Sequence, residues 1–267
     1  MKCRLCDGED LVLHYSQGND GQFRFYKCMN CKLVNYDLTS GLDQKKYSGG
    51  YIDPYFEEHK QNRTQSATYK FIKKNVPLKG KMLDIGCGNG KLLLLAKTDG
   101  WSVNGLELSE SYAAIVKEKF DIKVEIEDFL KYDKTSSYYD VVVLKHVLEH
   151  LSDSRLAMTK INNLLKVNGY GIFEFPNIES VEFKIKRVVS KIKISKKKYR
   201  EDYVPGHCNE FCKDSFKYLL KLTGFKLVHW ELYSNKNKHI RLLSMLNIGS
   251  KARVLVKKAN SPVNLGE

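Results

Sequence analysis

The chain has 267 residues, of which 42% are hydrophobic and 11% aromatic, and it carries a formal net charge of +14. This composition excludes a disordered or collagen-like chain, and the length suits one large domain or a large domain with a small one. No apolar run approaches the roughly 18 residues of a membrane-spanning helix. The start of the chain, MKCRLCDGED, lacks the apolar core of a secretory signal peptide. We therefore expect a cytoplasmic protein.

Residues 1–40 contain two Cys-x2-Cys pairs, Cys3 with Cys6 and Cys28 with Cys31. A tight turn can aim both sulfurs of such a pair at one ion, and two pairs complete the tetrahedral shell of a structural zinc site. A set of redox dithiols is the alternative, but the surrounding pattern is not thioredoxin-like. The spacing therefore predicts a zinc ribbon with Zn2+ in a closed structural site. Because so short a segment buries little apolar surface, the metal would supply folding energy.

A linker and a helix are predicted over residues 41–80. Residues 41–55 are rich in Gly, Tyr and charged residues, which is typical of a connecting loop. The following residues predict a helix over 56–75. This helix should end before Pro77, because the residue ahead of a proline disfavours the helical conformation.

From residue 81 onward, the hydrophobic pattern alternates between strand and helix. The predicted strands cover residues 81–85, 102–107, 123–126, 141–144 and 170–175, and the predicted helices cover 90–98, 110–120 and 152–165. The segment 141–144 is entirely apolar, as in a strand that is buried on both faces. This alternation predicts a parallel sheet covered by helices on both sides.

The segment Asp84-Ile85-Gly86-Cys87-Gly88-Asn89-Gly90 joins the first of these strands to a helix. Glycines in such a turn let a ligand approach the backbone without a Cβ atom in the way, but their spacing is GxGxG rather than the GxGxxG of dinucleotide sites. Glu107 ends the next strand, where a carboxylate can hold both hydroxyls of a ribose. Asp128 and Phe129 follow the third strand, and the Phe129 ring offers a flat apolar neighbour for an adenine. These features indicate a nucleoside-bearing cofactor without a pyrophosphate.

Three segments resemble the successive motifs of class I S-adenosylmethionine (SAM)-dependent methyltransferases: MLDIGCGNGKLLLLAKTDGWSVNGLELSE, EDFLKYDKTSSYYDVVVLKHVLEHL and LLKVNGYGIFEFPN. The later segment PGHCNEFCKDSFKYLLKLTGFKLVHW is similar to the carboxyl-terminal element of many small-molecule members. The cysteine pairs and the Tyr-rich linker resemble the subgroup with an amino-terminal zinc ribbon, whose members often act in nucleotide-sugar, polysaccharide or lipopolysaccharide pathways. A doubly wound domain that binds another nucleotide is the alternative.

The resemblance implies an α/β, doubly wound, Rossmann-like sheet of seven strands over residues 81–258, followed by a tail over 259–267. The sixth and seventh strands would cover 225–232 and 252–257, with the seventh antiparallel. The resemblance also implies cofactor-binding roles, which are Gly86 and Gly88 for the methionine part, Asp84 for its amino group, Glu107 for the ribose, Leu108 and Phe129 for the adenine ring, and Asp128 for the adenine amino group.

Two histidines are candidates for a catalytic base. Methyl transfer to a hydroxyl, or to a carbon made acidic by a carbonyl, needs a base near neutral pH, and histidine suits that role. His207 is our first choice, because it lies in the element that closes over the methyl group in the family. His146 is the second choice, because it follows the fourth strand at the edge where ligands collect. Each could instead line the substrate pocket or cap a helix without moving a proton.

His146, Glu149 and His150 are spaced at i, i+3 and i+4. This set could ligate a divalent ion that holds a catechol-like substrate, as in some quinone-pathway relatives of the superfamily, although those relatives carry a carboxylate at the position of His146. The tetrad 144–147, LKHV, replaces both the NPPY-like motif and the Pro-Cys pair of nucleobase enzymes. Methylation of nucleobase amines and attack through a cysteine thioadduct are therefore disfavoured. We expect Cys87 of the glycine loop to be packed and not reactive. Cys208 and Cys212 could be brought together by a single turn, but we expect two free thiols.

Residues 181–200 carry nine Lys or Arg residues against one carboxylate, and their apolar residues follow a helical spacing. This pattern predicts a basic amphipathic helix within an insertion over 181–205. The helix could roof the active site, dock on anionic lipid at the inner face of the membrane through residues 184–200, or bind nucleic acid. A second basic set could extend the same surface: Lys236, Lys238, Arg241, Lys251, Arg253, Lys257 and Lys258.

The sequence therefore predicts a SAM-dependent methyltransferase with a zinc ribbon. The predicted acceptor is a hydroxyl or carbon of a sugar, nucleotide-sugar or lipid-linked glycan precursor, which is expected to be anionic. An RNA methyltransferase whose zinc ribbon and basic helix grip phosphates is the main alternative. A non-catalytic protein that retains the cofactor fold is another.

Overall fold

The computed structural model describes residues 1–43, 58–134, 137–185, 198–234 and 249–259, with the side chains of 58–61 left out. The linker predicted over 41–55 and the tail predicted over 259–267 lie largely outside these residues. Most of the predicted basic helix does so as well, because the structure describes only residues 181–185, which form a helical turn, and residues 198–205 of the insertion. None of the described helices is long and apolar enough to cross a membrane.

The larger sheet has seven strands among the described residues. They are β4 (Lys81–Ile85), β5 (Ser102–Glu107), β6 (Val124–Ile126), β7 (Tyr139–Lys145), β8 (Leu165–Pro176), β10 (Phe225–Tyr233) and β11 (Lys251–Lys258). Their spatial order is β10-β11-β8-β7-β4-β5-β6. Strand β11 is antiparallel to both of its neighbours, whereas β4, β5, β6 and β7 pair in parallel with the strands beside them. The predicted seven-stranded sheet with an antiparallel last strand is confirmed.

Helices cover both faces of this sheet. They are α1 (Glu58–Asn75), α2 (Lys91–Thr98), α3 (Glu110–Phe120), α4 (Ser154–Leu164) and α5 (Lys213–Leu222). Alternate residues of a strand point to opposite faces, so Met82 and Val141 pack with α1 and α2, whereas Leu83 and Val142 pack with α4 and α5. Burial on both sides explains why the strands of the sheet centre read as continuous apolar runs.

A smaller antiparallel sheet contains the amino-terminal cysteines at its turns. Its strands are β1 (Leu11–Gln17), β2 (Phe23–Cys28), β3 (Val34–Tyr36) and β9 (Asn209–Glu210), in the order β1-β2-β3-β9. The last of these strands is about 170 residues away from the third along the chain. We call residues 1–40 the four-cysteine module. The segment around His207 therefore completes the sheet of this module.

The four-cysteine module shares its apolar core with the larger domain. Cys3, Leu5 and Leu33 lie in one cluster of buried side chains with Phe211 and Phe216. This packing supplies burial that the first 40 residues lack by themselves. The metal would therefore add to a shared core and would not be the sole source of folding energy.

Two expectations about individual residues are settled by their environment. Cys87 is packed in the core, and Cys208 and Cys212 are free thiols, as predicted. Arg253, in contrast, does not belong to a basic surface, and that expectation is wrong. Its side chain is 3% exposed, its Nε atom donates to Glu174 at 2.5 Å, and its Nη1 atom donates to Glu231 at 2.8 Å. A paired, buried guanidinium is not available to an external phosphate or lipid.

Candidate active site

A cavity of about 350 Å3 opens at the carboxyl edge of strands β4, β5, β6 and β7. This edge is where ligands bind in open parallel sheets, because the loops that leave the strands there diverge. Six of the seven residues predicted to bind the cofactor line the cavity: Gly86, Gly88, Glu107, Leu108, Asp128 and Phe129. The structure therefore brings together three loops that are separated along the chain.

The glycine loop requires glycine at two positions for different reasons. Gly86 has a φ of +70°, and a Cβ atom there would stand 2.4 Å from the Cγ2 atom of Val147. Gly88 has a φ of +51°, and nothing lies within 4 Å of the place where its Cβ atom would stand. The first glycine permits close packing, and the second leaves room beside the backbone for a ligand.

The carboxylate of Glu107 is held by three backbone amides. Its Oε2 atom accepts from the N–H of Gly88 at 2.8 Å, and its Oε1 atom accepts from the N–H groups of Leu108 and Ser109 at 2.8 and 3.1 Å. These bonds join the glycine loop to the end of β5. The carboxylate is therefore fixed in orientation at the cavity wall, as expected of a group that binds a pair of ligand hydroxyls.

Asp128 and its neighbour form the third part of the wall. The Oδ1 atom of Asp128 accepts from the N–H of Leu130 at 2.9 Å, which fixes the turn after β6. The ring of Phe129 is buried, whereas Leu108 on another loop of the wall is 36% exposed. These two apolar side chains suit contact with a flat ring.

Asp84 does not line the cavity; it lies in β4, next to the glycine loop in sequence, with 2% of its surface exposed. Burial raises the pKa of this carboxyl to about 8, and Lys145 acts in the opposite direction. Lys145 itself lines the cavity. The prediction that Asp84 orients the amino group of the methionine part stays a prediction.

His146 follows β7 in a strained backbone conformation. Its φ is +57°, which is uncommon for a residue with a side chain, and its N–H donates to the carbonyl oxygen of Glu174 at 2.7 Å. The Nδ1 atom of His146 lies 3.2 Å from the Oε1 atom of Glu149. Its Nε2 atom is buried and makes no hydrogen bond with any described residue. Such strain, held by surrounding contacts, is typical of functional positions.

Glu149 lies near three imidazole rings and is 1% exposed. Burial favours its neutral form, but the hydrogen bond to His146 and the proximity of His150 and His207 outweigh burial and lower the pKa of Glu149 to about 2. Its Oε2 atom has no hydrogen-bond partner among the described residues. Burial lowers the pKa of His207 to about 4, although Glu149 acts in the opposite direction.

Ligating atoms of Glu149, His150 and His207 all lie within 4.8 Å of one another. The predicted set for a divalent ion contained His146 instead of His207. The structure pairs His146 with Glu149 through Nδ1 and adds His207 from a distant part of the chain. The three groups could share protons or a cation.

The four predicted zinc ligands converge at one point of the four-cysteine module. Cys3 Sγ and Cys31 Sγ are 3.4 Å apart, Cys6 Sγ and Cys28 Sγ are 3.5 Å apart, and all four sulfurs lie within 4.8 Å of one another. The Nδ2 atom of Asn35 lies 3.6 Å from Cys3 Sγ. Four clustered thiols with a nearby N–H donor fit a tetrahedral thiolate site and its supporting shell.

Sequence reasoning missed a buried ion cluster around Glu174 of β8. Glu174, which is fully buried, accepts from Thr68 at 2.6 Å, from Tyr233 at 2.5 Å and from Arg253 at 2.5 Å. Burial opposes its ionisation, but Arg253 and Lys145 lower its pKa to about 2. Glu174 is the one charged residue of the strand predicted over 170–175, and that was the available signal.

Comparison with known proteins identifies the class to which this fold and cavity belong. A family profile described as a methyltransferase domain matches residues 56–230. The chain therefore belongs to this methyltransferase family.

The match to curated relatives covers only part of each relative's length. The ubiquinone biosynthesis O-methyltransferase of Coxiella burnetii (strain Dugway 5J108-111) is 29% identical over 114 residues, which cover 40% of this chain and 49% of that protein. The protein of the same name from Pelagibacter ubique (strain HTCC1062) is 34% identical over 109 residues, which cover 38% and 44%. The chain thus spans about half the length of these relatives.

Solved structures confirm the fold. The magnesium protoporphyrin IX methyltransferase of Synechocystis PCC 6803, solved with S-adenosylhomocysteine (SAH), is 14% identical with a TM-score of 0.56 over 75% of this chain and 84% of that chain. A SAM-dependent methyltransferase from Archaeoglobus fulgidus is 22% identical with a TM-score of 0.56 over 77% and 100%. The predicted doubly wound methyltransferase fold is confirmed.

Proposed function

We propose that this protein transfers a methyl group from SAM to a hydroxyl group or an acidic carbon of a sugar, nucleotide-sugar or lipid-linked glycan precursor. The observation that carries the proposal is one cavity wall that holds both the fixed carboxylate of Glu107 and the imidazole of His146. Membership of the methyltransferase family supports the reaction. The names of two relatives, both O-methyltransferases, support an oxygen acceptor.

The residues of the cavity fit SAM. The open space beside Gly88 would take the methionine part, Glu107 would hold both ribose hydroxyls, and Asp128 would accept from the adenine amino group between Leu108 and Phe129. When bound, SAM supplies a methyl group on a positively charged sulfur. After transfer of the methyl group, this sulfur is part of a neutral thioether, which is the leaving group. Since that leaving group needs no proton, the protein needs no acid at this position.

The geometry favours His146 as the base over His207, which was the first choice from the sequence. An ionised carboxylate can only accept, so Glu149 takes the proton-bearing Nδ1 atom of His146 and leaves the lone pair on Nε2. The Nε2 atom can then receive a proton from the acceptor. Glu149 thereby orients the ring and stabilises the imidazolium that forms.

His207 has a different role in this proposal. Its low pKa keeps the ring neutral at physiological pH. A neutral ring can donate or accept one hydrogen bond to an acceptor hydroxyl without adding charge. His207 and His150 therefore orient the acceptor, while alignment of the two reacting atoms supplies most of the rate increase.

The four cysteine thiolates would hold Zn2+ in a structural site. A closed four-sulfur shell leaves no position for a substrate, so the metal would stabilise the four-cysteine module and the strand β9 paired with it. The four sulfurs lie close enough together for one ion. No step of the reaction passes through this site.

The direct test of this function is to incubate the purified protein with methyl-labelled SAM and separate glycan, lipid and RNA fractions from cells. We expect label in the glycan or lipid fraction and none in the RNA fraction. Label confined to RNA would support the alternative, an RNA methyltransferase, and would contradict the proposal. Absence of transfer to any fraction, together with tight SAM binding, would indicate the non-catalytic alternative.

A further inference from the structure

A second cavity, of about 220 Å3, lies between the four-cysteine module and the segment around His207. Its walls include Gln17 and Phe25 from strands β1 and β2, and Tyr203, His207 and Glu210 from the later segment. It is distinct from the cavity that we assign to SAM, but His150 lines both of them.

The shared residue places this cavity next to the reacting groups. The rings of His150 and His207 are 4.7 Å apart between centroids, in an edge-to-face arrangement. The Nδ1 atom of His150 lies 2.9 Å from the carbonyl oxygen of Gly206. His146, the proposed base, is four residues before His150 and lines the cofactor cavity. A molecule in the second cavity would therefore meet the methyl donor at the His150 wall.

The lining of the second cavity selects the chemistry of its occupant. Its polar lining consists of the Gln17 amide, the Tyr203 phenol, the imidazoles of His150 and His207, and the Glu210 carboxylate. Phe25 and Pro205 form the apolar part. Among its described lining residues, none is a lysine or an arginine. The carboxylate of Glu210 favours hydroxyl donors and repels phosphate. Sites for drug-sized ligands have volumes of about 300–1,000 Å3, and this cavity is smaller. Its volume therefore suits a single ring.

Contacts across the cavity hold its two halves in register. The Tyr15 hydroxyl donates to the Oε1 atom of Glu210 at 2.7 Å, and the Tyr203 hydroxyl donates to the Oε1 atom of Gln17. Strand β3 pairs with β9 through Val34 and Glu210. The shape of this cavity therefore depends on both the amino-terminal module and the later segment.

We infer that this cavity is the acceptor site, and that the four-cysteine module and the His207 segment together bind one uncharged, hydroxyl-rich ring there, such as a hexopyranose unit. This inference rests on the proposed function and assigns its acceptor site. The four-cysteine module then recognises the acceptor directly. Any phosphate of a larger precursor would lie outside this cavity.

The inference can be tested without knowing the natural acceptor. The whole, zinc-loaded chain is first mixed with enough SAH to fill its cofactor site. Saturation-transfer NMR spectra are then recorded with three hexopyranose probes: the methyl glycosides of glucose, galactose and mannose. Catechol and uridine monophosphate serve as probes of the aromatic and phosphate alternatives. We expect a saturation-transfer signal from the protein to the ring protons of at least one glycoside.

Matched variants then assign the signal to the cavity. Gln17→Leu and Tyr203→Phe should each reduce glycoside saturation about fivefold or more, because each removes a polar group that lines the cavity or orients the lining. Gln22→Leu is the control, since Gln22 lies on the same hairpin but outside the cavity. SAH affinity, measured by calorimetry, should stay within about twofold in all three variants and shows that they are folded.

Three results would overturn the inference. The first is that no glycoside gives a saturation-transfer signal. The second is that only catechol or uridine monophosphate gives one. The third is a glycoside signal that neither cavity variant reduces. Failure of the wild-type protein to bind SAH would instead contradict the proposed cofactor site. The same glycoside titration without SAH would then still test the second cavity by itself.

Discussion

At the scale of single residues, the site contains carboxylates whose surroundings give them different chemistry. Glu107 is fixed by three amides at a cavity wall and can accept from ligand hydroxyls. Glu149 is buried against imidazoles that lower its pKa, so its ionised form can accept a hydrogen bond from His146. Asp84 is buried without so strong a neighbour, and its pKa is raised to about 8. Residue type alone does not separate these roles, because burial and the nearest charge decide them.

The substitution Glu107→Gln should weaken SAM binding by about 10- to 100-fold, because the charged acceptor of the ribose hydroxyls is replaced by a neutral one. Calorimetric titration of the purified protein with SAM measures this change. Glu110→Gln is the control, as Glu110 is exposed on the first turn of α3 and does not line the cavity. Equal affinities in the wild type and both variants would show that the cavity does not bind SAM as proposed.

The substitution His146→Asn should lower kcat by about 100- to 10,000-fold with the acceptor found in the labelling experiment, since it removes the proton acceptor. SAM affinity should be little changed. His229→Asn on β10, where the side chain is 45% exposed and lies outside the cofactor cavity, should leave kcat unaltered. An unchanged kcat of His146→Asn at saturating SAM would exclude His146 as the base.

Acid should destabilise the protein through His207. Burial lowers the pKa of this residue from 6.5 to about 4, so the unfolded chain binds more protons than the folded one between these values. The stabilisation due to the neutral ring is present above about pH 6.5 and is lost as the pH falls to about 4. Urea unfolding from pH 7 to pH 4.5 should therefore show a steeper decline for the wild type than for His207→Gln. Parallel curves would contradict this assignment.

At the scale of elements, the strand β9 connects the four-cysteine module to the segment that carries His207. Arg4 reaches across this junction and donates to the carbonyl oxygen of Tyr36 at 2.8 Å, to Asn209 Oδ1 at 3.3 Å and to the carbonyl oxygen of Cys208. The N–H of Cys208 in turn donates to the carbonyl oxygen of Glu149 at 2.9 Å. The position of His207 therefore depends on a residue more than 200 positions earlier in the chain.

The substitution Arg4→Met should reduce the free energy of unfolding by about 1–3 kcal/mol, because buried carbonyl groups lose their donor. It should also speed hydrogen exchange of the Cys208 and Glu210 amides. Arg155→Met is the control, since Arg155 also bonds to the four-cysteine module, through Asp7, but is 45% exposed. That variant should change stability by less than about 1 kcal/mol. Equal effects of both substitutions would mean that Arg4 does not position the segment.

Elements with a strong local pattern were predictable from sequence. The helix predicted over 56–75 corresponds to α1, described from Glu58 to Asn75, and the strand predicted over 141–144 is β7 with one or two more residues at each end. Strand β8 begins at Leu165, five residues before its predicted start, because it continues directly from α4. Strand β9 was not predicted at all. Two residues carry no periodicity, and only pairing with β3 makes them a strand.

At the scale of the whole molecule, the chain joins two sheets through one core. The cofactor cavity lies at the edge of the larger sheet, and the second cavity lies between that domain and the smaller sheet. The predicted cofactor residues lie at the carboxyl ends of β4 and β5 or follow β4, β5 and β6, which belong to the larger sheet alone. Because the cysteines share a core with α5, loss of the metal would also disturb packing outside the four-cysteine module.

Removal of zinc by a strong chelator should therefore affect the two cavities differently. We expect one zinc ion per chain by elemental analysis, and loss of protection from hydrogen exchange in β3 and β9 after chelation. SAM affinity should fall by less than about threefold, because the amides that fix Glu107 belong to Gly88, Leu108 and Ser109, outside the four-cysteine module. Cooperative loss of SAM binding and of all protection would show instead that the two sheets fold as one unit.

The sequence by itself determined the doubly wound fold, the glycine loop and its acidic partners, and the convergence of the four cysteines. These features depend on short-range spacing and on hydrophobic period, which a linear chain displays directly. The tertiary structure decided which histidine lies within hydrogen-bond distance of Glu149, and it buried Arg253 against Glu174 where sequence reasoning had expected a basic surface. It also formed the second cavity, between strands near the start of the chain and a segment near residue 207. Such contacts arise from packing between distant segments, and neither segment carries a local signal of its partner.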